Sequence, residues 1–198
     1  MYWYEDEVKR LENDRAKLEY DAETIFYGSS SIRLWTNLYS DFGSLKPVNL
    51  GFGGSTLAAC VWFFERIMAP YNPKRLIIYA GDNDLGDGRH PEEVFIFFQQ
   101  LVVKAQKQFG DIPCYFVSLK LSPSRWSIAD KYKYTNNLIK TEIAKYDSNW
   151  QFIDVFEKMI DAGGRPKSEY YVNDGLHLSE KAYQLWKEVI SDKLAGNH

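Results

Sequence analysis

Short apolar runs that end in glycine, serine or aspartate alternate along this chain with longer amphipathic segments. Val8, Leu11 and Leu18 recur at roughly helical spacing among charged residues, which predicts an N-terminal helix over residues 1–22. Residues 24–27, 48–50, 75–80, 114–117 and 151–153 are short and β-prone. The first four of these runs lead at once into GSSS, GFGGS, GDNDLGDG and SLKLSPSRW. Helices are predicted over 57–68, 92–109, 128–146 and 179–194. The second is the clearest, opened by Pro91, closed by Gly110, and carrying an apolar face of Val94, Phe95, Phe98, Leu101 and Val102. This alternation from residue 24 onward predicts an α/β fold with a parallel sheet covered on both faces.

No repeat, low-complexity tract or Pro- and Gly-rich linker divides the 198 residues, so one domain is expected, with residues 1–22 packed on it. In an open parallel sheet, ligands bind beyond the carboxyl ends of the strands. The loops after the first three strands and the segment before the last helix carry most of the suggestive polar residues, and they are expected to share one pocket.

Charge narrows the partners. Twenty-four Lys and Arg against 27 Asp and Glu leave a net charge of -3, without the basic excess that nucleic-acid binding demands. The longest apolar run, 57–64, is too short to cross a bilayer, and the first residues do not read as a signal peptide. No integral membrane association and a cytoplasmic location are therefore expected. Cys60 and Cys114 lie in separate apolar segments and read as buried free thiols. Of the three histidines, His198 is terminal and His90 sits between Arg89 and Pro91 as in a helix-entry turn. His177 is left as the first choice for chemistry.

Four segments carry candidate chemistry. In FYGSSSIRLW, Gly28 permits a sharp turn off a strand and Ser30 stands at the start of the next helical turn, where a serine is either an N-cap or a nucleophile. In NLGFGGST, Gly51, Gly53 and Gly54 allow close backbone approach, so that an N–H can face a substrate oxygen; the spacing is not that of a phosphate loop. In GDNDLGDG, Asn83 offers a neutral donor to a developing oxyanion. Its neighbours Asp82 and Asp84, with Glu93, match the first, third and twelfth places of a calcium loop, but Gly86 and Asp87 spoil the fifth and sixth. In VNDGLHLSEKAY, Asp174 precedes His177 by three residues, close enough for carboxylate and imidazole to pair.

Taken together, and in this order, these segments resemble the SGNH, or GDSL-type, hydrolases. Ser30 matches the block I nucleophile, Gly54 the block II glycine, Asn83 the block III asparagine, and Asp174 with His177 the block V D-x-x-H. The resemblance implies a flavodoxin-like three-layer α/β/α sandwich of about five strands in the order 2-1-3-4-5. It also implies ester hydrolysis through an acyl-enzyme, with no cofactor and no metal. Ser30, Asp174 and His177 would be the catalytic residues, and the N–H groups of Ser30 and Gly54 with the Asn83 amide would hold the oxyanion. Block I departs from the pattern, because Ser29 stands where the family usually has aspartate. Ser29 is expected to make local hydrogen bonds in its place, and Ser31 competes with Ser30 as nucleophile.

Arg33, Trp35, Arg125 and Trp126 are candidates to line a substrate cleft. The expected partner is a small-molecule ester, such as an acetylated sugar or a lysophospholipid-like molecule; the oligomeric state is not legible. Two other classes fit the same residues: a non-catalytic small-molecule or carbohydrate-binding module, and a cation-binding flavodoxin-like domain using Asp82, Asp84 and Asp87.

Overall fold

The computed structural model describes residues 1–145 and 149–196. Its strands are β1 (Thr24–Gly28), β2 (Pro47–Gly51), β3 (Arg75–Tyr79), β4 (Cys114–Val117) and β5 (Trp150–Ile153). They form one all-parallel sheet in the order β2-β1-β3-β4-β5, as the resemblance implied. Every residue of β1 and β4 is buried, which is why these runs read as continuously apolar and do not alternate.

The helices are α1 (Glu5–Arg15), α2 (Ser30–Arg33), α3 (Leu38–Asp41), α4 (Leu57–Met68), α5 (Asp82–Gly86), α6 (Pro91–Phe109), α7 (Ala129–Lys145), α8 (Phe156–Met159) and α9 (Glu180–Ala195). Tyr27 of β1 packs on Phe64 of α4, and Phe98 of α6 packs on Phe116 of β4, which places these helices on one face. On the other, Phe26 meets Trp35, and Tyr79 meets Trp186 of α9. The long predicted helices lie within a residue or two of their expected bounds. The N-terminal helix is shorter than residues 1–22: it buries Val8 and Leu11, while Leu18 lies beyond its end and is partly buried against the core. The predicted end at Tyr146 and the terminal His198 lie outside the described residues. The four- and five-residue helices α2, α3, α5 and α8 are too short to show a period.

β2 is an edge strand, and side chains cover its outer backbone groups. Tyr20 donates to the Pro47 carbonyl (2.6 Å), the Asn49 N–H donates to the Tyr39 hydroxyl (3.3 Å), and Arg10 donates to the Gly51 carbonyl (2.8 Å). Both Tyr20 and Arg10 come from the N-terminal segment, which is thereby tied to the sheet. The strand order reverses at β1, between β2 and β3, so the loops after β1 and β3 open at the switch point where α/β sheets bind ligands.

Candidate active site

Ser30 is the first residue of α2. Its neighbour Gly28 has φ +146°, and a Cβ there would lie 1.8 Å from the Tyr79 carbonyl oxygen. Only glycine therefore lets β1 turn this close to β3. Among the described residues Ser30 Oγ has no hydrogen-bond partner, and its N–H and that of Gly54 are likewise unpaired. Ser31 is 2% exposed and buried against the core side of α2, and its carbonyl accepts from Tyr183 of α9 at 3.0 Å. Ser29 makes none of the local side-chain hydrogen bonds expected of it: its Oγ is buried without a partner, because the residue faces the packed interior above the Tyr79 carbonyl that its N–H contacts.

Asn83 is held from two sides. Its Nδ2 donates to the Ser55 carbonyl (3.0 Å) and its Oδ1 accepts from Arg125 Nη2 (2.9 Å). That pair of contacts settles which way the amide points and leaves one N–H for another acceptor. Arg125 also donates to the Asp82 carbonyl at 2.7 Å and lies 3.5 Å from the Asp82 carboxylate. Expected at a substrate cleft, Arg125 instead turns inward as the support of Asn83, since its fork of donors finds three acceptors there.

In the turn before α9, Asp174 Oδ1 accepts the N–H groups of Leu176 (2.8 Å) and His177 (2.9 Å), and Oδ2 lies 2.6 Å from His177 Nδ1. The imidazole bond and the two backbone bonds hold the Asp174 carboxyl down at about 2. His177 Nε2 has no partner among the described residues. Gly54, with φ +68°, sits in the turn after β2 in the left-handed region that glycine tolerates.

Beneath these groups lies a polar network that sequence reasoning missed. Lys120, 2% exposed, donates to the Leu176 carbonyl (3.1 Å), one residue before His177, and to Asp82 Oδ2 (3.4 Å). The Ser124 N–H donates to the Gly175 carbonyl (3.0 Å), so the loop after β4 grips the turn at two points. Burial pushes the Lys120 ammonium down, Asp82 opposes that, and Arg125 adds to it. A lone lysine in an apolar run gives no sequence signal of this kind; only its burial reveals it.

Of the other predicted contacts, Trp35 is 2% exposed, and its Nε1 donates to Asp41 at 2.8 Å. It belongs to the core because its ring is enclosed by Phe26, Phe42 and Trp186. Arg33 is paired with Glu7 at 2.7 Å. Arg33 and Trp35 line a cleft of about 540 Å³ beside β2 whose walls include none of Ser30, Gly54, Asn83, Asp174 or His177. Trp126 is exposed, next to Arg125. The expected helix-entry role of His90 matches its place before α6, where its N–H donates to Glu93 at 2.8 Å.

Two of the three donors of the cation reading are engaged elsewhere. Asp82 faces Lys120 and Arg125, and Asp84 accepts the N–H groups of Leu57 (2.5 Å) and Ala58 (3.4 Å) at the start of α4. Burial raises the Asp84 carboxyl to about 6 against those bonds and Arg89. Among the described residues, no group of three His, Cys, Asp or Glu side chains is placed to hold a metal ion, and no helix is long and apolar enough to cross a membrane.

The GDSL-like lipase/acylhydrolase family model matches residues 20–185. The chain belongs to that family. Among solved structures, it is similar to a protein from Streptococcus pneumonia described as a candidate platelet activating factor, with 20% identity, 98% of this chain and 95% of that one covered, and TM-score 0.82. A GDSL-like lipase from Bacteroides thetaiotaomicron has 18% identity, 96% and 98% coverage, and TM-score 0.79. The OSK domain of Drosophila Oskar shares the fold too, at 15% identity, 89% and 91% coverage, and TM-score 0.72. Identities this low carry the fold and not the activity. Among curated proteins no sequence matches. Membership of the GDSL-like family supports a hydrolase, and an ester hydrolase in particular.

Proposed function

We propose that the protein is a metal-independent serine esterase that cleaves small-molecule carboxylic esters through an acyl-enzyme. The observation that carries this reading is the Asp174–His177 pair at 2.6 Å, in a turn that Lys120 ties to Asp82, the residue before Asn83. With Asp174 accepting from Nδ1–H, the neutral imidazole keeps Nε2 as the free base. His177 Nε2 takes the Ser30 proton as Oγ attacks the ester carbonyl. The oxyanion accepts hydrogen bonds from the N–H groups of Ser30 and Gly54 and from Asn83. Collapse of the tetrahedral intermediate expels the alcohol, which takes the proton from His177; water then enters by the same base and releases the acid. The side chains of His177 and Asp174 are 34% and 46% exposed, which favours short acyl chains on an open site over a long enclosed tail.

Hydrolysis of p-nitrophenyl esters from acetate to long acyl chains tests this reading, with and without chelator. Wild type is expected to prefer short esters and to ignore the chelator, and Ser30→Ala to lose at least about 10⁴-fold in kcat. Loss in Ser31→Ala with Ser30→Ala active would move the nucleophile by one residue. Chelator-sensitive turnover, or no turnover of any ester, would sink the proposal.

Asn83→Ala is expected to slow kcat ~10²- to 10³-fold with a small change in KM. A rate within about twofold of wild type, far inside that range, would remove Asn83 from the oxyanion site.

A further inference from the structure

We propose that the N-terminal helix is part of the active-site machinery, with Glu7 and Tyr4 as positioning residues that set the Gly54 N–H toward the oxyanion. This inference rests on the esterase reading above.

Three successive peptide groups form the turn after β2 around Gly53 and Gly54. The Gly53 N–H donates to Glu7 Oε2 at 3.0 Å, and the Tyr4 hydroxyl donates to the Gly54 carbonyl at 3.0 Å. Between them lies the peptide group joining Gly53 to Gly54, and its N–H has no partner among the described residues. Two adjacent glycines, one at φ +68°, would otherwise let that group rotate freely. Held from both sides, the central N–H keeps one direction without any reorganisation at the moment of reaction, which is what oxyanion stabilisation requires.

Glu7 reaches further than the turn. Its carboxylate lies 2.7 Å from Arg33 Nε, and Arg33 ends the short helix that Ser30 begins. One side chain therefore ties the turn carrying the Gly54 N–H to the element carrying Ser30. Arg10 adds a bond to Glu7 (3.2 Å) and one to the Gly51 carbonyl (2.8 Å). Burial works against the Glu7 charge, but the Gly53 N–H, Arg10 and Arg33 outweigh it and keep the carboxyl below its ordinary value. Tyr4 is 8% exposed, its ring set edge-on to Phe52 and Phe63, so its hydroxyl is held in place. These residues precede residue 20, where the family match begins.

The test compares Glu7→Ala, Glu7→Gln and Tyr4→Phe with Glu12→Gln. Glu12 is on the same helix and pairs with Arg66 at 2.7 Å, away from the turn. Glu7→Ala and Tyr4→Phe are expected to lower kcat roughly 10-fold with KM within about twofold, the signature of a misplaced transition-state donor. Glu7→Gln, whose carbonyl can still accept from Gly53, is expected to recover part of the loss, and Glu12→Gln to match wild type. Unchanged kcat in Glu7→Ala and Tyr4→Phe, or an equal fall in Glu12→Gln, would overturn the proposal. Amide exchange at Gly53 gives a reading independent of turnover: it is expected to quicken at least about 10-fold in Glu7→Ala and not in Glu12→Gln. Should wild type cleave no ester, the esterase reading fails by itself; the clamp then stands or falls on whether Gly53 exchange quickens.

Discussion

Replacing His177 with alanine is expected to lower kcat/KM by about 10⁴- to 10⁶-fold, and Asp174→Asn by about 10⁴-fold, with the fold intact in both. The asparagine result follows from the turn. Asp174 Oδ1 already accepts two backbone N–H groups, from Leu176 and His177. An asparagine there keeps its carbonyl on those donors and presents its NH₂ to Nδ1. The ring must then accept at Nδ1 and carry its proton on Nε2, the tautomer that cannot take a proton from Ser30. Thermal unfolding run alongside separates this from a folding defect. Asp174 is held at about 2 by its bond to the imidazole and its two backbone bonds, so it stays ionised wherever an enzyme of this kind works. The acid limb of kcat/KM is accordingly expected to fall with the uptake of a single proton. A two-proton limb, or an Asp174→Asn rate within tenfold of wild type, would contradict this account of the dyad.

Lys120→Met is expected to destabilise the protein by about 3–5 kcal/mol, toward the lower figure because Arg125 still faces Asp82. Lys120 and Asp82 have side chains 2% and 4% exposed, so removing the ammonium strands a carboxylate with little access to water. One Asp82 oxygen, Oδ1, is already buried without a partner. For a chain of this length the loss corresponds to a fall of roughly 10 °C in Tm. Adding Asp82→Asn to Lys120→Met is expected to recover part of it, because the stranded charge goes with it. Urea unfolding of the two single variants and the double variant measures this directly. A Lys120→Met variant within about 1 kcal/mol of wild type would show that Asp82 is relieved by Arg125 alone. The Leu176 carbonyl also loses its donor in Lys120→Met, so activity is expected to fall with stability.

Much of the molecule was legible along the chain, for reasons that can be named residue by residue. Strands buried on both faces are runs such as 114–117, and amphipathic helices such as Pro91–Phe109 show their period and their stop at Gly110. The Asp174–His177 contact spans three residues, so a local turn suffices to make it, and the spacing allowed for it. Gly28 and Gly54 announced sharp backbone at the strand ends. The exposure of side chains was less legible: Trp35 and Arg125 share the composition of a binding cleft and of a core. Only enclosure by Phe26, Phe42 and Trp186, and the acceptors of Asp82 and Asn83, separate the two.

The amino-acid sequence by itself thus determined the parallel α/β sheet, the family and the pairs of groups that lie within one turn of each other. Hydrophobic periodicity, turn chemistry and short-range hydrogen bonds act between near neighbours and leave their mark on local spacing. The tertiary structure alone decided what holds those groups in position: Arg125 on Asn83, Lys120 between Asp82 and Leu176, and Glu7 with Tyr4 on the Gly53–Gly54 turn. Each joins residues 38 or more positions apart, and nothing in the local pattern marks such a pair before the sheet has brought its strand ends together.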